Sequence, residues 1–152
     1  MKRKLTLLLA LLCLLAAFTG CGGKKELVPQ SFISEMLDGA EFTDSLAQVD
    51  EAVALLLYGV DAADCKSINV YCGTAATAEE IAVFEANDSA AAERILSAAQ
   101  ARVAHQIETY KSYGPAAAMA LEDAVVAKTG NFVVVVVCSD SQGAKKLAEP
   151  YL

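Results

Sequence analysis

Five consecutive valines, Val133–Val137, stand between Phe132 and Cys138. β-Branched side chains are stiff at χ1 and suit extended backbone. Successive side chains of a strand point to opposite faces, so a run that is apolar at every position needs cover on both sides. At a sheet edge the same run would invite aggregation. The chain is therefore expected to build a sheet in which this strand is central and covered on both faces.

The neighbouring segments supply candidate partners. Ala124–Lys128 is extended in pattern, and Thr129-Gly130-Asn131 between it and Phe132–Cys138 contains two residues that tolerate positive φ, as a tight hairpin requires. Ser67–Gly73 alternates, with Ile68, Val70 and Cys72 on one side and Ser67, Asn69 and Tyr71 on the other. Thr74–Ala78 is a loop of small residues, and Glu80–Ala86 is a second strand that pairs with the first as a hairpin.

Helices fall between and around these pairs. Ile33–Leu37 reads as a short helix with Ser34 as its cap. Asp50–Tyr58 has a good N-cap in Asp50, an acid in its first turn in Glu51 and Gly59 at its C-terminal end, with Val53, Leu56, Leu57 and Val60 on one face. Asn87 and Asp88 cap a long helix to Tyr110, whose stripe Ala92, Leu96, Ala99, Val103, Ile107 and Tyr110 is read as buried. Gly114-Pro115 closes it. Ala116–Asp123 reads as a short helix and Ser141–Tyr151 as a last amphipathic one, with Ala144, Leu147 and Ala148 inward. Strands arriving in adjacent pairs predict an α+β domain: a mostly antiparallel sheet of about four strands in two hairpins, a long helix between them and further helices packed on it.

The first 20 residues have a different character. Lys2, Arg3 and Lys4 form a basic start, and Leu5–Phe18 is an apolar run without a charge. Its 14 residues span about 21 Å as a helix, short of the roughly 30 Å hydrocarbon core of a bilayer. This is the layout of an export signal rather than of a permanent membrane span. Residues 1–20 are thus read as a signal peptide, 21–30 as a flexible polar tether and 31–152 as one domain. The 152 residues carry 12 Lys and Arg against 19 Asp and Glu. Without Lys2, Arg3 and Lys4, nine bases face those 19 acids and the formal charge is −10. Such a surface repels phosphate backbones, so nucleic acid is not an expected partner.

Two resemblances add to this. Phe18-Thr19-Gly20-Cys21 resembles the lipobox of bacterial lipoproteins, although Phe18 stands where leucine is usual. The resemblance implies cleavage between Gly20 and Cys21 and a lipid on the Cys21 thiol. It places the mature chain on the extracytoplasmic face of the cell membrane. The glycine-rich start Gly22-Gly23 is similar to that of Gram-positive lipoproteins. The mature chain resembles the DUF4358 family of domains of unknown function, carried by Leu57-Tyr58-Gly59-Val60-Asp61, Thr77–Phe84, Tyr113-Gly114-Pro115 and Gly130–Val134. That family brings no catalytic residues to carry over.

The residues that bear chemistry are sparse. His105 is the single histidine, and it lies off the buried stripe of the long helix. No Cys-x-x-Cys pair supplies a zinc site, no glycine loop lies between a strand and a helix to hold phosphates, and Ser139-Asp140-Ser141 lacks the setting of a hydrolase nucleophile. No metal ion, cofactor or catalytic residue is expected. Glu79-Glu80 are adjacent strand residues that point to opposite faces, so they share no site and are read as solvated charges. Asp61 and Asp64 are read as turn formers. Among Cys65, Cys72 and Cys138, Cys72 and Cys138 sit near strand ends and are a candidate disulfide, beside the alternative that all three are thiols. Tyr110 and Tyr113 are read as packing residues and, secondarily, as a partner surface. The expected role is a non-enzymatic binding or accessory domain held at the membrane through lipid on Cys21, its partner an unidentified protein or envelope component. The alternatives are an envelope hydrolase and a structural subunit of an envelope complex.

Overall fold

The valine run lies next to the end of the sheet and is buried throughout. In the computed structural model, which describes residues 23–152, five strands form one antiparallel sheet in the order β1-β2-β3-β5-β4. They are β1 (Ala47–Gln48), β2 (Cys65–Cys72), β3 (Glu80–Ala86), β4 (Val125–Thr129) and β5 (Phe132–Val137). Strand β5 pairs on one side with β3, Val83 opposite Val134, and on the other with β4, Ala127 opposite the same Val134. Both expected hairpins form, β2 with β3 and β4 with β5. The β4–β5 turn places Gly130 at φ 56°, the left-handed region that glycine enters without a Cβ penalty.

Among the described residues the helices are α1 (Pro29–Gly39), α2 (Glu51–Tyr58), α3 (Ser89–Tyr110), α4 (Pro115–Glu122) and α5 (Ser141–Ala148). They sort into two layers. Val133, Val135 and Val137 pack with Ala54, Tyr58, Phe84, Ile95, Ala99 and Leu121, under α2, α3 and α4. Val134 and Val136 pack with Phe32, Ile33, Met36, Ile81, Ala144 and Tyr151, under α1, α5 and the 3₁₀ turn Glu149–Tyr151. The alternation of the strand thus divides one valine run between two cores.

Four readings change. The sheet has a fifth strand, β1, which pairs Ala47 with Cys72 and Gln48 with Tyr71; two exposed residues carry no periodicity to detect. Helix α1 starts at Pro29, a residue suited to the first turn because its missing N–H would have no intrahelical partner, and Ser34 lies inside it. The segment read as tether has joined the body by Lys25, whose N–H donates to Pro150 O at 2.6 Å, and Leu27 is buried in the α1 layer. Helix α2 is turned from its expected face: Ala54 and Tyr58 point inward, while Val53, Leu56 and Leu57 are exposed, Leu56 at 83%. Residues 1–20, read as a signal peptide, and Cys21 lie outside the described residues.

Capping accounts for the helix boundaries. Asp50 accepts from Ala52 N at 2.9 Å and Asp88 from Ala91 N at 2.8 Å, satisfying first-turn donors. Gly59, at φ 63°, ends α2. Asp140, from the Ser139-Asp140-Ser141 segment, accepts from Gly143 N at 3.0 Å and caps α5.

Candidate functional site

Glu79 and Glu80 are each 3% exposed, which corrects their reading as solvated charges. A buried carboxylate needs hydrogen-bond donors or a cation, and each has found its own. They do point to opposite faces of the sheet, as adjacent strand residues must.

Glu79 holds a loop. It accepts from Thr43 N at 2.9 Å, from Thr43 Oγ1 at 3.0 Å and from Asp44 N at 2.8 Å. Asp44 in turn accepts from Thr74 N at 2.6 Å, and the hydrogen bonds from Thr74 hold its carboxyl below the usual carboxylate range. The segment after α1 is thereby fastened to the β2–β3 loop.

Glu80 faces the α3 layer and gathers three side chains from three elements. Tyr58 OH, at the end of α2, donates to its Oε1. Arg102 Nη2, from the middle of α3, donates to Oε2 at 2.7 Å, and Cys72 Sγ, from the end of β2, lies 3.2 Å from the same oxygen. The guanidinium also stacks 4.9 Å from the Tyr58 ring centre and donates through Nη1 to Leu57 O at 3.2 Å. Among the described residues its Nε has no partner. Burial opposes the charge on Arg102, but the Glu80 carboxylate, together with Tyr58 and Cys72, raises the affinity of the guanidinium for its proton on balance. Burial and then the charge of Glu80 push the Tyr58 hydroxyl well above its usual range, and the same two causes push the Cys72 thiol up to about 12. The cluster is therefore an ion pair with two neutral donors, and Cys72 is a thiol rather than a thiolate nucleophile.

A cavity of about 290 Å³ opens over this cluster, lined by Leu57, Cys72, Thr74, Ala75, Glu80, Arg102, Gln106 and Tyr110. Tyr110 is buried and donates to Ala75 O at 2.6 Å, closing one wall. Tyr113 is 62% exposed, with its ring centre 5.0 Å from that of Tyr110. Of the tyrosine pair, one is thus wall and one is surface. A larger groove of about 610 Å³ runs along the Ala40–Leu46 loop beside Ser139, whose hydroxyl donates to Glu41 O at 2.7 Å. It is an open furrow in which no charged pair converges.

The remaining candidates separate. Cys72 and Cys138 do not form the candidate disulfide: β3 lies between β2 and β5, Cys72 packs in the α3 layer and Cys138 in the α1 layer. Cys65, Cys72 and Cys138 are all thiols. His105 is exposed. Asp61 caps a 3₁₀ turn by accepting from Ala63 N at 2.9 Å, and Asp64 accepts from Arg94 Nε at 2.9 Å. Among the described residues no group of three His, Cys, Asp or Glu is placed to hold a metal ion, and no helix is long and apolar enough to cross a membrane. Sequence reasoning missed Tyr58 and Arg102. A usable signal existed: Arg102 adjoins Val103 on the inward edge of α3, and Glu80 precedes the apolar run Ile81–Phe84, so each charge borders a buried segment.

The fold and the cluster define an α+β domain with a five-stranded antiparallel sheet between two helical layers and a buried ion pair at one end. Residues 39–138, 100 of the 152, match the family described as Domain of unknown function (DUF4358). The chain belongs to this family. No curated protein and no solved structure matches it. Tyr58, Cys72, Glu80 and Arg102 all fall within the matched region, whereas α5 falls outside it and α1 reaches it only at Gly39.

Proposed function

We propose that this protein is a lipid-anchored lipoprotein on the extracytoplasmic face of the cell membrane, in the Gram-positive manner, and that its domain is a binding module rather than an enzyme. The observation that carries the binding role is the Tyr58–Glu80–Arg102–Cys72 cluster under a 290 Å³ cavity. Its charges are mutually satisfied, so it makes a rigid, nearly neutral polar floor. Arg102 keeps N–H groups beyond those bonded to Glu80 and Leu57, and a bound acceptor can take them. Leu57 and Tyr110 supply apolar wall, the usual composition of a ligand cleft. A hydrolytic role gains nothing from the two glutamates, which diverge and are fully engaged. The anchor reading rests on the apolar run Leu5–Phe18 followed by Thr19-Gly20-Cys21. Two acyl chains give stable attachment at about 0.8 kcal/mol per buried CH₂.

The test is fractionation and in-cell crosslinking of the wild type, Cys21→Ser and Gln106→Trp. Cys21→Ser is expected to leave the membrane fraction. Gln106→Trp, which fills the cavity while leaving both members of the ion pair in the chain, is expected to stay there and lose the wild-type crosslink. Cys21→Ser that stays membrane-bound as firmly as wild type overturns the anchor. A wild-type crosslink that persists in Gln106→Trp overturns the cavity as the binding site, as does turnover of a cell-wall fragment by the purified protein for the non-enzymatic role.

A further inference from the structure

The domain is fastened to its own N-terminal segment almost as soon as that segment leaves Cys21. Lys25 N donates to Pro150 O, and Leu27 is buried. From Cys21 to Lys25 there are four peptide units, a reach of at most about 14 Å. Helix α1 packs along β3 and against α5. Its C-terminal end leads into the loop that Glu79 holds at the start of β3. Lys25 stands beside the middle of that helix, paired with Glu35 and lying over the Tyr151 ring, and its segment enters the α1 layer through Leu27. The cavity is at the start of β3, between Glu80 and the β2–β3 loop. The point of attachment and the cavity thus lie on opposite faces of the sheet, the first in the α1 layer and the second in the α3 layer.

We infer that the exposed surface formed by Lys24, Lys25, Val28 and Pro150 rests on the membrane leaflet that holds the lipid, so that the cavity faces outward from the cell. The inference depends on the lipid anchor proposed above. The short tether carries the argument: a domain larger than its 14 Å leash must keep the attachment corner near the bilayer. The surface suits a headgroup layer, with Val28 half-exposed and apolar and two lysines beside it. Glu26 and Glu149 flank it and Lys25 is paired with Glu35, so electrostatic attraction is slight and the leash sets the contact.

The chain has no tryptophan, which makes single-tryptophan reporters clean. The lipidated protein, extracted from membranes and reconstituted into phosphatidylcholine–phosphatidylglycerol vesicles with brominated acyl chains, is compared as Val28→Trp, Tyr113→Trp and Ala76→Trp. Tyr113 and Ala76 report the cavity side, and two reporters there guard against one failing to fold. The expected result is loss of emission for Val28→Trp and unchanged emission for the other two. Equal quenching on both sides, or stronger quenching at Tyr113 or Ala76, overturns the orientation while leaving the anchor intact. Failure of the wild type to sediment with vesicles overturns the anchor and the orientation together.

Discussion

At the scale of single residues, the chain's least conventional choice is to bury an ion pair at the floor of the 290 Å³ cavity. Breaking a buried pair by removing one partner leaves an uncompensated charge and costs about 3–5 kcal/mol. Glu80→Gln and Arg102→Met are each expected to lower unfolding free energy by about 3 kcal/mol. The double variant is expected to lose less than the sum, with a coupling of about 1–3 kcal/mol. Urea unfolding of the four proteins measures this cycle, and strictly additive losses would show that the two side chains do not sustain each other. Little of this was legible beforehand. The divergence of Glu79 and Glu80 follows from strand geometry alone, and the sequence shows it. Their burial does not follow, because it depends on donors 22 to 36 positions away in the chain: Tyr58, Arg102 and Thr43.

At the scale of elements, α2 shows how a fixed point overrides periodicity. The apolar residues Val53, Leu56 and Leu57 outline a face that would bury larger side chains than the one the helix presents. The helix is instead pinned by Tyr58, whose ring packs 4.8 Å from that of Phe84 and whose hydroxyl meets Glu80. Ala54, one turn earlier, follows Tyr58 inward. Leu56→Gln is accordingly expected to change stability by no more than about 0.5 kcal/mol, as for other exposed sites, and Ala54→Leu to cost about 1–3 kcal/mol by overpacking. Thermal unfolding of the two variants decides between the faces; a large loss in Leu56→Gln with tolerance of Ala54→Leu would reverse the assignment. The strands behave otherwise. Their two-residue period and tight turns are local properties, so β2, β3, β4 and β5 were readable to within a residue or two, while β1 exists only because β2 offers it an edge.

At the scale of the whole molecule, three thiols, Cys138 buried and Cys65 and Cys72 half-buried, make the domain base-labile. Burial, the largest cause for each, raises Cys65 and Cys138 to about 11 and Cys72 to about 12, from an ordinary value of 9.0. The unfolded chain releases these protons near pH 9, whereas the folded chain retains them. Stability is therefore complete below pH 9 and falls as pH rises through 9 toward 11–12. The raised Tyr58 hydroxyl acts in the same direction. Urea midpoints taken from pH 7 to pH 11 are expected to decline above 9, and a flat profile would contradict the burial of these groups. By itself the sequence determined the α+β class, the two hairpins, the two-sided cover of the valine strand and the caps Asp50 and Asp88, all of which depend on neighbours a few residues apart. Tertiary structure alone decided which face α2 buries, that Cys72 and Cys138 lie in different layers, that the N-terminal segment joins the body by Lys25, and that Tyr58, Glu80 and Arg102 meet under one cavity. Those outcomes depend on contacts between distant segments, and a buried charge chooses its partner only once the surrounding layers have closed.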